Sequence, residues 1–144
     1  MTKTNDQIKF LISLAKTQSI LNNRFDRGLG GLGFSEFLIL YHLNQAPDQK
    51  MRRVDIADKI GLTASGVTRQ LLPMEKIHYV KNGSPENDAR ARYVTITKAG
   101  EQRLNEALER LEFLAEEIMS KTAEKTVKEF TEFITDIGGR ALMN

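Results

Sequence analysis

The stretch Val54-Asp-Ile-Ala-Asp-Lys-Ile-Gly61-Leu-Thr63-Ala-Ser-Gly-Val-Thr-Arg69 decides how this chain is read. Its first half fits a helix from Val54 to Ile60, without a good capping side chain before it but with Asp55 and Asp58 near its positive end. Gly61 supplies the turn that follows. Thr63 can then cap a second helix whose buried side is Val67, Leu71, Met74 and Ile77 or His78. Ser65, Gly66, Arg69 and Gln70 fall away from that stripe, and all are small or donor-bearing. Downstream, Tyr79-Val80-Lys81 and Tyr93-Val94-Thr95-Ile96 read as short strands, with Asn82 to Arg92 as a charged, turn-forming tip between them. Helix, glycine turn, helix and two-stranded ribbon is the order of a winged helix-turn-helix, which sets its second helix in a DNA major groove.

Charge singles out the same segment. Residues 50–98 hold ten basic and five acidic side chains, net +5, while the rest of the 144-residue chain is net −3. A basic centre between acidic flanks suggests a polyanion-binding part carried on a scaffold that does not itself bind one.

Working outward, apolar residues at Ile8, Leu11, Leu14 with Ala15, Leu21 and Phe25 mark one face of a long helix from about Asn5 to Arg27. Gly28, Gly30, Gly31 and Gly33 end it. Ser35 is placed to cap a further helix running to about Asn44, with Phe34 and Ile39 as a hydrophobic staple, and Ala46-Pro47-Asp48 stops it. After the ribbon, Thr97 caps a helix striped by Leu104, Leu108, Leu111, Leu114 with Ala115, and Ile118, with Glu106/Arg110 and Glu117/Lys121 paired on its wet face. A last helix carries Val127, Phe130, Phe133, Ile134 and Ile137. These terminal stripes are too extended for one chain of this size to bury. Phe130, Phe133, Ile134, Ile8 and Leu11 are expected to pack across a two-fold axis, burying roughly 2,000 Å² or more.

Several chemistries find no footing. The chain has no cysteine and two histidines, His42 and His78, neither completed by a carboxylate pattern into a zinc site. No metal and no cofactor is expected. No nucleophile, base and orienting acid fall at a recognisable spacing, so the chain does not read as an enzyme. Gly28-x-Gly30-x-x-Gly33 matches the dinucleotide-binding pattern literally, yet a helix and not a strand precedes it, which leaves an interhelical connection. The longest uninterrupted apolar run is Phe37 to Tyr41, and the start lacks the pattern of a secretion leader. No membrane partner and a cytoplasmic location are the expectation.

With Met74-Glu-Lys76 and with Asp88-x-Arg90-x-x-x-Val94-x-Ile96-Thr97-x-x-Gly100, the quoted stretch resembles the MarR family of transcriptional regulators. The resemblance extends over nearly the whole chain. It implies a mainly α fold with a small β-hairpin wing, in a single domain, residues 1–144, built of dimerisation helices at about 5–45 and 98–144 around a winged helix-turn-helix at about 50–97. It also implies a homodimeric DNA-binding regulator, a repressor relieved by a small aromatic or anionic effector, on a pseudo-palindromic duplex. The alternatives are a winged-helix module that binds a protein or RNA partner, and a nonspecific architectural DNA-binding protein.

Within that reading, Arg69 is the expected base reader, since arginine can span guanine O6 and N7. Ser65, Gly66, Thr68 and Gln70 share its helix face or first turns and are expected to contact DNA as well. Arg90 resembles the family's minor-groove arginine, Arg92 is a phosphate neighbour, and Asp88 is expected to orient Arg90. Thr63, as a cap, and Arg53, as a phosphate neighbour, are supporting residues. For an effector, the candidates are Phe10, Phe37, Tyr41 and His42. Two residues depart from the family pattern. His78 stands where glycine usually closes the recognition helix, at a position that requires positive φ. Pro73 removes a helical donor and frees the Arg69 carbonyl, predicting a bend near Leu71 to Pro73.

Overall fold

The computed structural model describes residues 3–83 and 93–143. They form helices α1 (Asp6–Gly28), α2 (Phe34–Gln45), α3 (Arg53–Ile60), α4 (Ala64–Lys76), α5 (Lys98–Met119) and α6 (Glu124–Leu142), with strands β1 (Lys50–Arg52), β2 (Val80–Gly83) and β3 (Tyr93–Ile96). The chain divides into two compact units, Met1–Leu111 and Glu112–Asn144, the boundary cutting α5.

In the first unit the core is made where the apolar periods converge. Ile39, Leu40 and Leu43 of α2, Ile56 of α3, Val67, Leu71 and Met74 of α4, Val94 of β3 and Leu104 of α5 are all fully buried. Each such side chain contributes roughly 1.5–3 kcal/mol of transfer free energy.

The helix starts follow side-chain chemistry in three cases. Asn5 accepts the Ile8 N–H at 2.9 Å, Thr63 accepts the Gly66 N–H at 3.0 Å, and Thr97 accepts the Gly100 N–H at 3.0 Å. As expected, α3 begins at Arg52–Arg53 without a side-chain cap and ends on Gly61 at φ 71°. The start of α2 differs from the sequence reading. Its N-cap is Gly33, so Ser35 lies inside the first turn and the staple register fails; the Phe34 N–H is satisfied instead by the Asp26 carboxylate, 2.7 Å away at the end of α1. A cap supplied from eight residues upstream leaves no local signature.

Among the described residues the sheet has three strands, one more than the sequence reading gives. Its order is β1-β3-β2, antiparallel throughout, with Met51 opposite Val94 and Lys81 opposite Thr95. Strand β1 escapes a sequence reading because Lys50-Met51-Arg52 has the length and composition of a loop; pairing with β3 makes it a strand. Residues Asn82 and Gly83 belong to β2 and not to the expected hairpin tip.

Recognition-helix candidate α4 runs through Pro73 as one helix, so the proline does not break it, and Pro73 itself is exposed. At its end the chain turns at His78, φ 62°. The His78 N–H bonds to the Glu75 carbonyl at 3.0 Å and the Tyr79 N–H to that of Met74 at 2.9 Å, a Schellman closure made without glycine. That turn corrects the expected stripe: Ile77 and His78 are both exposed, and Val80 on β2 takes the core position. Beyond it, Gly100 packs so tightly that a Cβ there would collide with the Tyr79 carbonyl oxygen.

The glycine-rich connection after α1 is a pinned loop. Gly30 and Gly31 take φ 70° and 96°, Leu29 and Leu32 are buried, and Arg103 of α5 donates to the carbonyls of Leu29 (3.2 Å) and Gly30 (2.7 Å). Arg103 also pairs with Glu106 at 3.5 Å.

Helices α1 and α6 contain no buried residue. Ile8, Leu11 and Ile20 on α1 are 43–55% exposed, and Phe130, Phe133 and Ile134 on α6 are 46–56% exposed. On α5 burial reaches Leu104, Ala107 and Leu114 but not Ala115 or Ile118, so the expected stripe is only partly covered.

Candidate nucleic-acid interface

The exposed side of α4 is built by subtraction. Val67, Leu71 and Met74 turn inward, which forces Ser65 and Arg69, one helical turn apart, outward. Thr63 is occupied as the cap and its Oγ1 lies 3.2 Å from Ser65 Oγ, so the two hydroxyls sit together at the start of the helix. Gly66 and Gln70 are half-buried on the flanks. Arg69 is exposed and has no ion-pair partner among the described residues. An uncompensated guanidinium on a capped, packed helix is what bidentate contact with a base edge or phosphate requires.

Thr68 is placed differently. Its hydroxyl donates to the Ala64 carbonyl at 3.1 Å and accepts from Arg53 Nη1 at 3.5 Å, and the side chain is half-buried. Arg53 is turned inward as well. Its Nη2 donates to Asn82 Oδ1 at 3.2 Å and lies 3.8 Å from Glu75 Oε1, and Asn82 in turn donates to Glu75. Arg53 Nε is buried without an acceptor among the described residues, which costs about 1–3 kcal/mol. The neighbouring Arg52 faces outward and forms an ion pair with Asp55 at 2.9 Å, which raises its already high pKa.

Asp88, Arg90 and Arg92 lie outside the described residues. On the sheet, Lys50 of β1 lies over the Tyr93 ring at 5.1 Å.

The effector candidates separate. Phe37 is buried and stacks between Phe34 (5.8 Å) and Tyr41 (6.2 Å), continuing a ladder that begins at Phe25 (4.8 Å from Phe34). Phe10 is 36% exposed on α1. His42 meets the Tyr41 ring edge-on at 5.2 Å but lines a different place, a cleft of about 660 Å³ shared with Lys50, Asp58, Lys59 and Tyr93. Burial, reinforced by the Lys59 charge, holds the His42 pKa below its ordinary value. This cleft was not legible in the sequence, since β1 makes one of its walls. Among the described residues no group of three or more His, Cys, Asp or Glu could hold a metal ion, and no helix is long and apolar enough to cross a membrane.

A capped helix carrying an exposed arginine, preceded by a helix and glycine turn and followed by a small antiparallel sheet, defines a winged helix-turn-helix protein. The solved structures narrow the class. The chain is similar to the transcriptional regulator BldR from Sulfolobus solfataricus (26% identity, 97% of this chain and 99% of that one, TM-score 0.81). It is similar to Sco3205, a MarR family transcriptional regulator from Streptomyces coelicolor solved in complex with DNA (17%, 96% and 89%, TM-score 0.82). It is also similar to the PcaV transcriptional regulator from Streptomyces coelicolor, solved with its natural ligand (13%, 98% and 99%, TM-score 0.83). No protein-family model and no curated protein sequence matches the chain. The fold is that of the MarR family of transcriptional regulators, as the sequence motifs imply.

Proposed function

We propose that the chain is a homodimeric, sequence-specific DNA-binding transcriptional regulator that reads a pseudo-palindrome with two copies of α4 in successive major grooves. The observation that carries this reading is Arg69, unpaired among the described residues and exposed on a helix whose other side is fully buried. The DNA complex of Sco3205 supports it, because the two chains share their fold over nearly their whole lengths. Arg90 and Arg92 would follow the backbone and minor groove on either side, with Asp88 orienting Arg90. The second copy is supported by the exposed apolar residues of α1 and α6, since exposed apolar faces of this kind commonly mark an interaction surface. Half-sites would then lie about 10 base pairs apart. Regulation would be repression relieved by a small aromatic or anionic molecule, a reading supported by the liganded PcaV structure and by the aromatic ladder through Phe37 and Tyr41. No residue of the reading is asked to perform catalysis, and the place of action is the cytoplasm.

The test is selection from a pool of random duplexes at two salt concentrations. An enriched inverted repeat is the expected result. Retention without enrichment, steeply dependent on salt, would instead identify a nonspecific basic surface, and no retention would favour a protein or RNA partner.

A further inference from the structure

We propose that Arg53 is a positioning residue that fixes the angle between the reading helix α4 and the wing strand β2, acting from inside the protein and not as a contact to DNA. The inference rests on the DNA-reading function proposed above. Three elements meet at this one side chain: it starts α3, donates to Thr68 on α4 at 3.5 Å and to Asn82 on β2 at 3.2 Å, and lies 3.8 Å from Glu75 at the far end of α4. The planar fork reaches Thr68 and Asn82 from two separate nitrogens in one fixed geometry; a lysine carries all its donors on a single nitrogen at the end of a flexible stem and does not hold that geometry. Asn82 closes the network by donating to Glu75, so the wing strand is tied to α4 both directly and through the guanidinium.

The charge geometry argues against a phosphate role. The Glu75 carboxylate faces the guanidinium, and the Arg53 side chain is 23% exposed, against 51% for the adjacent Arg52. A phosphate contact would have to give up Glu75 and expose a network that now satisfies Thr68 and Asn82. What the arrangement can do is register. Arg69 and the wing tip must reach two grooves of one duplex at once, and the wing tip grows out of the strand that Arg53 holds against α4.

The experiment compares full-length wild type, Arg53→Lys and Arg53→Ala in two ways. Hydrogen exchange on the free proteins should show the amides of β2 exchanging severalfold faster in both variants, with those of the α2 core unchanged. On the duplex selected by the wild type, both variants should lose about tenfold in preference over random DNA, the size of one lost base contact, while the salt slope stays that of the wild type. Exchange unchanged at β2 would overturn the proposal. So would Arg53→Lys behaving as wild type while Arg53→Ala flattens the salt slope by about one, the signature of a phosphate contact. If the wild type selects no sequence, the regulator reading fails, and exchange in the free proteins still decides whether Arg53 joins α4 to the wing.

Discussion

The winged segment and the terminal helices carry equally regular apolar stripes and end differently. In the winged segment the stripes of α3 and α4 are buried to the last atom at Ile56, Val67, Leu71 and Met74, against α2 and the sheet of the same chain. On α1 and α6 the stripes stay in the open, with no buried residue on either helix. A periodic stripe says that a helix has a partner; it does not say that the partner is the same chain. The winged segment is a closed device. The terminal helices leave their stripes open, and in the proposed function a second copy would cover them.

The comparison can be broken most forcefully at α6. Replacing Phe130 and Phe133 together by aspartate should separate the copies, at a cost of about 4 kcal/mol or more because each substitution is felt twice across a two-fold. Sedimentation equilibrium would read it, and the winged core should stay folded. The opposite dissection is Leu71→Ala, which empties a fully enclosed site and should cost about 2–5 kcal/mol in urea unfolding. If the two substitutions produced the same phenotype, the division between closed and open stripes would lose its meaning.

Arg69→Ala sharpens the functional half. It should weaken the selected site by roughly 1–3 kcal/mol and relax discrimination at one base pair while leaving unfolding unchanged; equal losses on random DNA would remove Arg69 as a reader. A smaller effect of opposite sign is expected at the end of α4. His78 holds φ 62°, where a side chain costs about 1 kcal/mol, so His78→Gly should stabilise the winged segment by up to that amount.

Smallest is the pH dependence of His42. Its folded pKa lies below the ordinary value because the neutral ring is favoured by burial and by Lys59. The unfolded chain therefore binds the proton first, and stability is lost as pH falls from the ordinary histidine range through the lower folded value. His42→Gln should flatten that slope, and an unchanged slope would mean that another group carries it.

Much of this architecture is legible in the sequence because it is local. Thr63 and Thr97 cap helices they immediately precede, Gly61 turns a helix it immediately follows, and the periods of α3 to α5 can be counted off. What escapes is supplied from a distance. Asp26 caps α2 across a loop, Arg103 pins the glycine loop from far along the chain, and β1 is a strand only through its pairing with β3. The candidate site divides the same way. Arg69 is marked by its own helix periodicity, whereas the inward turn of Arg53 depends on Glu75 and Asn82, which no spacing rule brings beside it. The effector candidates Phe10, Phe37, Tyr41 and His42 do not all share one place, because the fold sets His42 in a cleft that Phe37 and Tyr41 do not line.

The most direct test counts chains on DNA. Native mass spectrometry of the complex with the selected duplex should find two copies of the 16.3 kDa chain per inverted repeat, and one half-site alone should not hold a stable complex. A single chain bound per duplex, with full affinity retained on one half-site, would contradict the account.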